Sequence, residues 1–231
     1  MPKLEDGLFS EATRARQAFA GPVVAITGSN GKTTTNRMVG AILSRQGKIL
    51  TAPYECSEAP CLARYLAHLG EPYWAGVFKV GANSLEGMRQ AAELLRPTHA
   101  VVTNVGEAHM ARFGSVQQIA EAKAQLLSNL EPGGTAILNK DNEFTSQMGG
   151  HAESGGAQVV KFGVSSRADV WAADIVHLGP DGTRFRVMSD LADPLDLHIP
   201  VYSLGDVYNA LAAVAVAQTL KVPASVIKQG L

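Results

Sequence analysis

The 231 residues are 46% hydrophobic and carry a formal net charge of −1 at pH 7. That is enough apolar mass for one sizeable core and gives no electrostatic ground for binding nucleic acid or an anionic membrane. No apolar run reaches the length of a membrane span, and the charged start Met1 to Asp6 has no signal-like apolar core, so cytoplasm is the default expectation.

In chain order, apolar positions at helical spacing after Ser10 predict a helix over 8–20 with Ser10 as its N-cap. A strand at 23–27, a helix at 32–46, a short strand near Ile49-Leu50 and a helix at 58–69 follow. A strand at 75–80, a helix at 85–95 that stops before Pro97, a strand at 99–103, a helix at 115–130 and a strand at 135–139 continue the alternation. Strands alternating with helices imply βαβ units, so the expected class is α/β, a mainly parallel P-loop-type sheet flanked by helices. After Asp141 the paired glycines Gly149-Gly150 and Gly155-Gly156 and the turn from Gly179 to Gly182 punctuate short β-rich stretches at 158–163, 169–177, 183–190 and 195–200. They predict a smaller antiparallel appendage within 142–200, before a buried helix at 204–220. Cys56 and Cys61, with no second pair and no histidine nearby, read as two reduced packing residues.

The most informative stretch follows the apolar run Val23-Val24-Ala25-Ile26, where Thr27 to Thr35 read T-G-S-N-G-K-T-T-T. Gly28 and Gly31 let backbone N–H groups turn inward, Lys32 offers a point charge to β and γ phosphate oxygens, and the Thr33 hydroxyl can ligate Mg²⁺ at the start of the next helix. The full Walker pattern would place glycine at position 26, where this chain has Ile26, so the loop is a shorter variety. A Gly/Ser/Asn/Thr turn needs no ligand, but such a turn needs neither Lys32 nor three consecutive threonines.

Further segments follow the loop in order: Val80-Gly81-Ala82-Asn83, Thr103-Asn104-Val105 with His109, Gly114-Ser115, Ala122-Lys123, Leu138-Asn139-Lys140-Asp141-Asn142, and Asn209-Ala210-Leu211-Ala212-Ala213. With the loop, they resemble the Mur ligase family, above all its D-alanyl-D-alanine-adding branch, over about residues 22–231. The resemblance implies a central ATP-binding domain at 22–231 preceded by a leading helix and linker at 1–21. It implies an ATP-dependent ligase that joins a carboxylate to the amine of an amino acid or dipeptide through an acyl phosphate, during peptidoglycan assembly. ATP and Mg²⁺ are the implied cofactors. Gly28, Ser29, Asn30, Gly31, Lys32, Thr33, Thr34, Asn104, Asn139, Asp141 and Asn209 are the implied nucleotide site. Lys32, His109 and Lys123 are the implied catalytic residues, with Thr33, His109 and a CO₂-carbamylated Lys123 holding metal. Family ligases also have an N-terminal domain for a uridine nucleotide and a C-terminal domain for the amine, so a partner domain or subunit is expected to supply them.

Three departures stand out. Lys79 occupies the place of a family metal-binding glutamate. Tyr54, Glu55 and Glu58 stand in a loop that is asparagine-rich in the family. Gly205-Asp206-Val207-Tyr208-Asn209 lacks the family His-Asn pair. Three readings stay open: a Mur-like ATP-dependent amide ligase or its ATPase domain diverged toward a substrate other than the usual muramyl peptide, a non-catalytic nucleotide-binding or scaffold protein that kept the loop, and another P-loop NTPase or kinase whose later motifs agree by accident.

Overall fold

The computed structural model describes residues 2–81, 83–108, 110–165 and 168–231; His109, expected in the site, and Ala82 lie outside them. Helix α1 (Pro2–Ala18) leads into strand β1 (Val23–Thr27) and helix α2 (Lys32–Leu43). Then come β2 (Ile49–Thr51), α3 (Ala59–Leu66), β3 (Ala75–Lys79), α4 (Leu85–Leu95), β4 (His99–Val102), α5 (Met110–Phe113), α6 (Val116–Ser128) and β5 (Thr135–Asn139). The second half holds α7 (Glu143–Gln147), α8 (Gly149–Glu153), β6 (Gln158–Gly163), β7 (Val170–His177), β8 (Thr183–Ser189), β9 (Leu195–Ile199), α9 (Leu204–Thr219) and α10 (Ala224–Gly230).

Among the described residues nine strands form one sheet in the order β2-β3-β1-β4-β5-β6-β7-β8-β9. Pairing is parallel from β2 through β7 and antiparallel between β7, β8 and β9. The stretches expected as an appendage therefore extend the main sheet, with β6 still parallel to β5. Successive residues point to opposite faces, so each central strand feeds two cores. Val23 and Ala25 pack in the layer that contains α3, α4 and α6, while Val24 and Ile26 pack beneath α2 and α9. Helix α9 is apolar almost all round because it lies against β5, β6 and β7 on one side and α2 on the other.

Several expectations need correction. Helix α1 begins at Pro2, not at Ser10, which sits exposed in mid-helix; proline is tolerated in a first turn because its missing N–H has no intrahelical partner there. Helices α7 and α8 escape a reading in which glycines break structure. Asn142 caps α7 by accepting the Thr145 N–H at 3.2 Å, and both helices are only five residues long, too short to show periodicity. Cys56 and Cys61 form a disulfide rather than staying reduced: the turn before α3 brings their Cα atoms to 5.5 Å, within bridging range. Arg16, 5% exposed, ties α1 to the end of α4, donating from Nε to Leu95 O at 2.7 Å and from Nη2 to Arg96 O at 2.5 Å. Those carbonyls lie in the last turn of α4, where no intrahelical donor remains.

The chain order places β1 between β3 and β4, with β2 and β3 laid down on one side and β4 and β5 on the other. This is a switch point, where a crevice opens beyond the carboxyl ends of the strands. The segments 28–31, 80–81, 103–106 and 140–142 all leave strands at that end.

Candidate functional site

The loop after β1 is built by glycine and held by its neighbours. Gly31 caps α2 at φ 81°, and an added Cβ there would lie 2.2 Å from Asn209 Oδ1. At Gly28 an added Cβ would lie 1.8 Å from Thr103 Oγ1. Both positions thus exclude a side chain by contact as well as by backbone conformation. The loop is laced to the segment after β4. Asn104 O accepts the Ser29 N–H at 2.9 Å, Asn104 Oδ1 accepts the Asn30 N–H at 2.9 Å, and Thr103 Oγ1 donates to Asn30 O at 2.6 Å. Ser29 Oγ donates to Gly106 O at 3.1 Å and accepts the Gly106 N–H at 2.9 Å.

Lys32 lies over this loop, its Nζ donating to Gly28 O at 2.7 Å and Ser29 O at 3.1 Å. Burial lowers its pKa, and the nearby charge of Lys79 lowers it further. Lys123, on α6, is 7% exposed; burial, then the charge of Lys32, pushes its ammonium down to about 7. A buried cation loses its hydration, and a neighbouring like charge adds to the penalty.

Two clefts flank the loop. One, of about 450 Å³, is bounded by Asn30, Gly31, Thr34, Asn104, Asn139, Asp141 and Asn209 together with Asn142, Phe162 and Tyr208. Its frame is fixed from beneath: Asn139 Nδ2 donates to Thr103 O at 2.9 Å, and Asn142 both accepts from and donates to the Val105 backbone at 3.2 and 3.0 Å. Across it, the Tyr208 hydroxyl donates to Asp141 Oδ2 at 3.0 Å, which also accepts the Val164 N–H at 2.7 Å. Burial, then the hydrogen bond and charge of Asp141, holds the Tyr208 phenol up at about 12. The other cleft, of about 480 Å³, runs along α2 from Thr33 past Asn36, Arg37 and Gly40 to Tyr54 and Lys79.

The structure therefore gathers Asn30, Gly31, Thr34, Asn104, Asn139, Asp141 and Asn209 on one side of the loop and Thr33 on the other, with Gly28, Ser29 and Lys32 between them. Phe162, Tyr208 and Arg37 were not foreseen as site residues. Arg37 could have been found, since it stands one helical turn beyond Thr33 and shares its face. Phe162 is brought in only by the pairing of β6 with β5.

Mg²⁺ keeps several waters and takes few protein oxygens beside phosphate. The Thr33 hydroxyl at the start of α2 fits that role. Among the described residues no group of three His, Cys, Asp or Glu stands together to hold a metal ion, the cleft beside Thr33 presents the Lys79 ammonium, and His109, expected to hold a second metal with Lys123, lies outside the described residues.

Comparison with known proteins agrees with this fold. The Mur ligase middle domain matches residues 26–217. The UDP-N-acetylmuramoyl-tripeptide--D-alanyl-D-alanine ligase of Escherichia coli K12 is 31% identical over 220 residues, covering 95% of this chain and 48% of that protein. The chain thus spans about half the length of the curated relatives it matches. MurF from Acinetobacter baumannii superposes with a TM-score of 0.91 at 30% identity, over 98% of this chain and 49% of that one. MurF from Thermotoga maritima, solved in complex with ADP, shares the fold, with a TM-score of 0.82 at 21% identity over 97% of this chain and 52% of that one. With more than three quarters of its length matched by that domain, this chain belongs to the Mur ligase middle-domain family.

Proposed function

We propose that this chain is the nucleotide-binding middle domain of an ATP-dependent ligase that forms an amide bond between a carboxylate and the amine of an amino acid or dipeptide, working in the cytoplasm with domains or subunits that deliver those substrates. The observation that supports it most is the glycine-capped loop, with Lys32 poised above it and a cleft on each side. The cleft of Asn139, Asp141, Phe162 and Tyr208 takes the nucleoside, the N–H groups of Lys32, Thr33 and Thr34 that open α2 without an intrahelical acceptor take the phosphates, and Lys32 exchanges the Gly28 and Ser29 carbonyls for β and γ oxygens.

The carboxylate oxygen then attacks the γ phosphorus, the bond from that phosphorus to the β–γ bridging oxygen breaks, and ADP leaves. The amine nitrogen attacks the acyl carbon, the C–O bond to phosphate breaks, and the nitrogen gives up a proton. The protein's task is to gather anions and neutralise charge that develops between them. Mg²⁺, held by Thr33 and the phosphates, would supply part of that neutralisation. Lys123, buried beside Lys32, is held close to neutrality by its surroundings; a neutral amine is the form that reacts with CO₂, which supports its service as a carbamate ligand.

The test is calorimetric titration of ATP and ADP into the chain and its Lys32→Ala variant, followed by phosphate release with candidate acids and amines. Loss of at least about tenfold in ATP affinity in a folded variant is expected, since charge-assisted bonds to phosphate are each worth roughly 1.5–3 kcal/mol. Unchanged affinity would remove the loop from the site. The Lys79 cation favours a second reading, a nucleotide binder without turnover, which predicts tight ADP binding and no phosphate release with the partner domains present.

A further inference from the structure

Arg37 and Lys79 line the cleft beyond Thr33, and among the described residues neither has a carboxylate within ion-pair distance. Cations gathered without counter-ions raise the free energy of the empty protein, and an anion placed among them lowers it. Lys32 and the loop N–H groups face the phosphates. Lys79 and Arg37 face elsewhere. They stand at the cleft along α2, on the opposite side of Thr33 from the nucleoside cleft.

Lys79 is not a free surface side chain. Its Nζ donates to Tyr54 O and sits 4.4 Å from the centroid of the Tyr54 ring, so the loop after β2 holds it over the cleft. Burial lowers its pKa, Glu55 opposes that, and Arg37 adds to it. The same cleft contains an unmet polar group: Asn36 Oδ1 is buried and has no hydrogen-bond partner among the described residues. A ligand here is therefore expected to present both an anion and a hydrogen-bond donor, with its stem along Gly40 and Ala41.

We infer that Lys79 and Arg37 form a cationic clamp for the carboxylate of the acid substrate, beyond the γ-phosphate. The inference rests on the ligase reading for the identity of the anion. An ammonium and a divalent cation compete for one position, so the place that Lys79 occupies suits an anion rather than a metal ion.

The experiment uses the whole chain with ADP and Mg²⁺, titrated with tricarballylate, a tricarboxylate probe, at low ionic strength and followed by tryptophan fluorescence or calorimetry. Lys79→Ala and Arg37→Ala should each weaken tricarballylate about five- to tenfold while leaving ADP affinity and the ATP-to-ADP affinity ratio within about twofold, and Lys79→Arg should restore most of the loss. Retained ADP binding certifies the fold of each variant. A fall in the ATP-to-ADP ratio with tricarballylate unchanged would assign these cations to the γ-phosphate and overturn the inference. So would an ADP-loaded wild-type chain with no measurable tricarballylate binding. A wild-type chain that fails to bind ADP at all is a different result, and it would overturn the ligase reading itself.

Discussion

Replacing Gly31 by alanine puts the sharpest strain on the site that one methyl group can. The residue sits at φ 81°, and the new Cβ would meet Asn209 Oδ1 at 2.2 Å, far inside contact distance. Holding a non-glycine residue in that conformation costs roughly 1 kcal/mol or more. Moving the Asn209 amide breaks its 3.2 Å hydrogen bond from Thr35 Oγ1. Thr35 is fully buried, so the stranded hydroxyl costs a further 1–3 kcal/mol or so. Alanine's smaller unfolded-state entropy returns about 0.4–1 kcal/mol. The net expectation is a loss of about 1–3.5 kcal/mol in urea unfolding, with ADP binding abolished at concentrations that saturate the wild type. A double-mutant cycle with Asn209→Ala isolates the clash: the pair should cost at least about 1 kcal/mol less than the sum of the singles. Strict additivity, or a Gly31→Ala protein within about 0.5 kcal/mol of wild type, would refute the contact.

Two further predictions concern buried cations. Lys123 titrates near 7 when folded but near 10.4 when unfolded, so between those values the unfolded chain holds the extra proton and stability should rise with pH by an amount on the order of a few kcal/mol. Below pH 7 both states are protonated and that dependence ends. Urea midpoints from pH 6.5 to 9.5 should climb in the wild type and lie flatter in Lys123→Met, and parallel curves would contradict the burial. Arg16→Met leaves the carbonyls of Leu95 and Arg96 without their donors and should lower stability by about 3 kcal/mol in thermal or urea unfolding while ADP affinity stays as it was. A coupled loss of ADP affinity would show that α1 bears on the site.

What could be read from the sequence was what leaves a local trace. The alternation of apolar strands and helices marked the sheet from β1 to β5, and the loop after β1 stood out by Gly28, Gly31, Lys32 and Thr33. Strands β6 to β9 were legible as strands, but not as a continuation of the main sheet, because the parallel pairing of β6 with β5 is a long-range choice that no residue of β6 announces. Tyr208 illustrates the same limit. Its neighbour Asn209 could be placed at the helix start by motif, whereas the bond from Tyr208 to Asp141 joins residues 67 positions apart. The disulfide was missed because five residues of separation allow bridging only when the intervening turn has a particular shape.

The dependence of the phosphate loop on α9 has a consequence for biosynthesis. Thr35 finds its partner Asn209 only 174 residues later. A ribosome adding roughly 5–20 residues per second needs about ten to thirty seconds to cover that distance. For most of that interval β1 and the loop are outside the tunnel, but the wall against which Gly31 rests has not been made. A nascent chain is thus unable to sequester cellular nucleotide in a half-built pocket, and capture of nucleotide becomes a late signal that the two ends of the sheet layer have met.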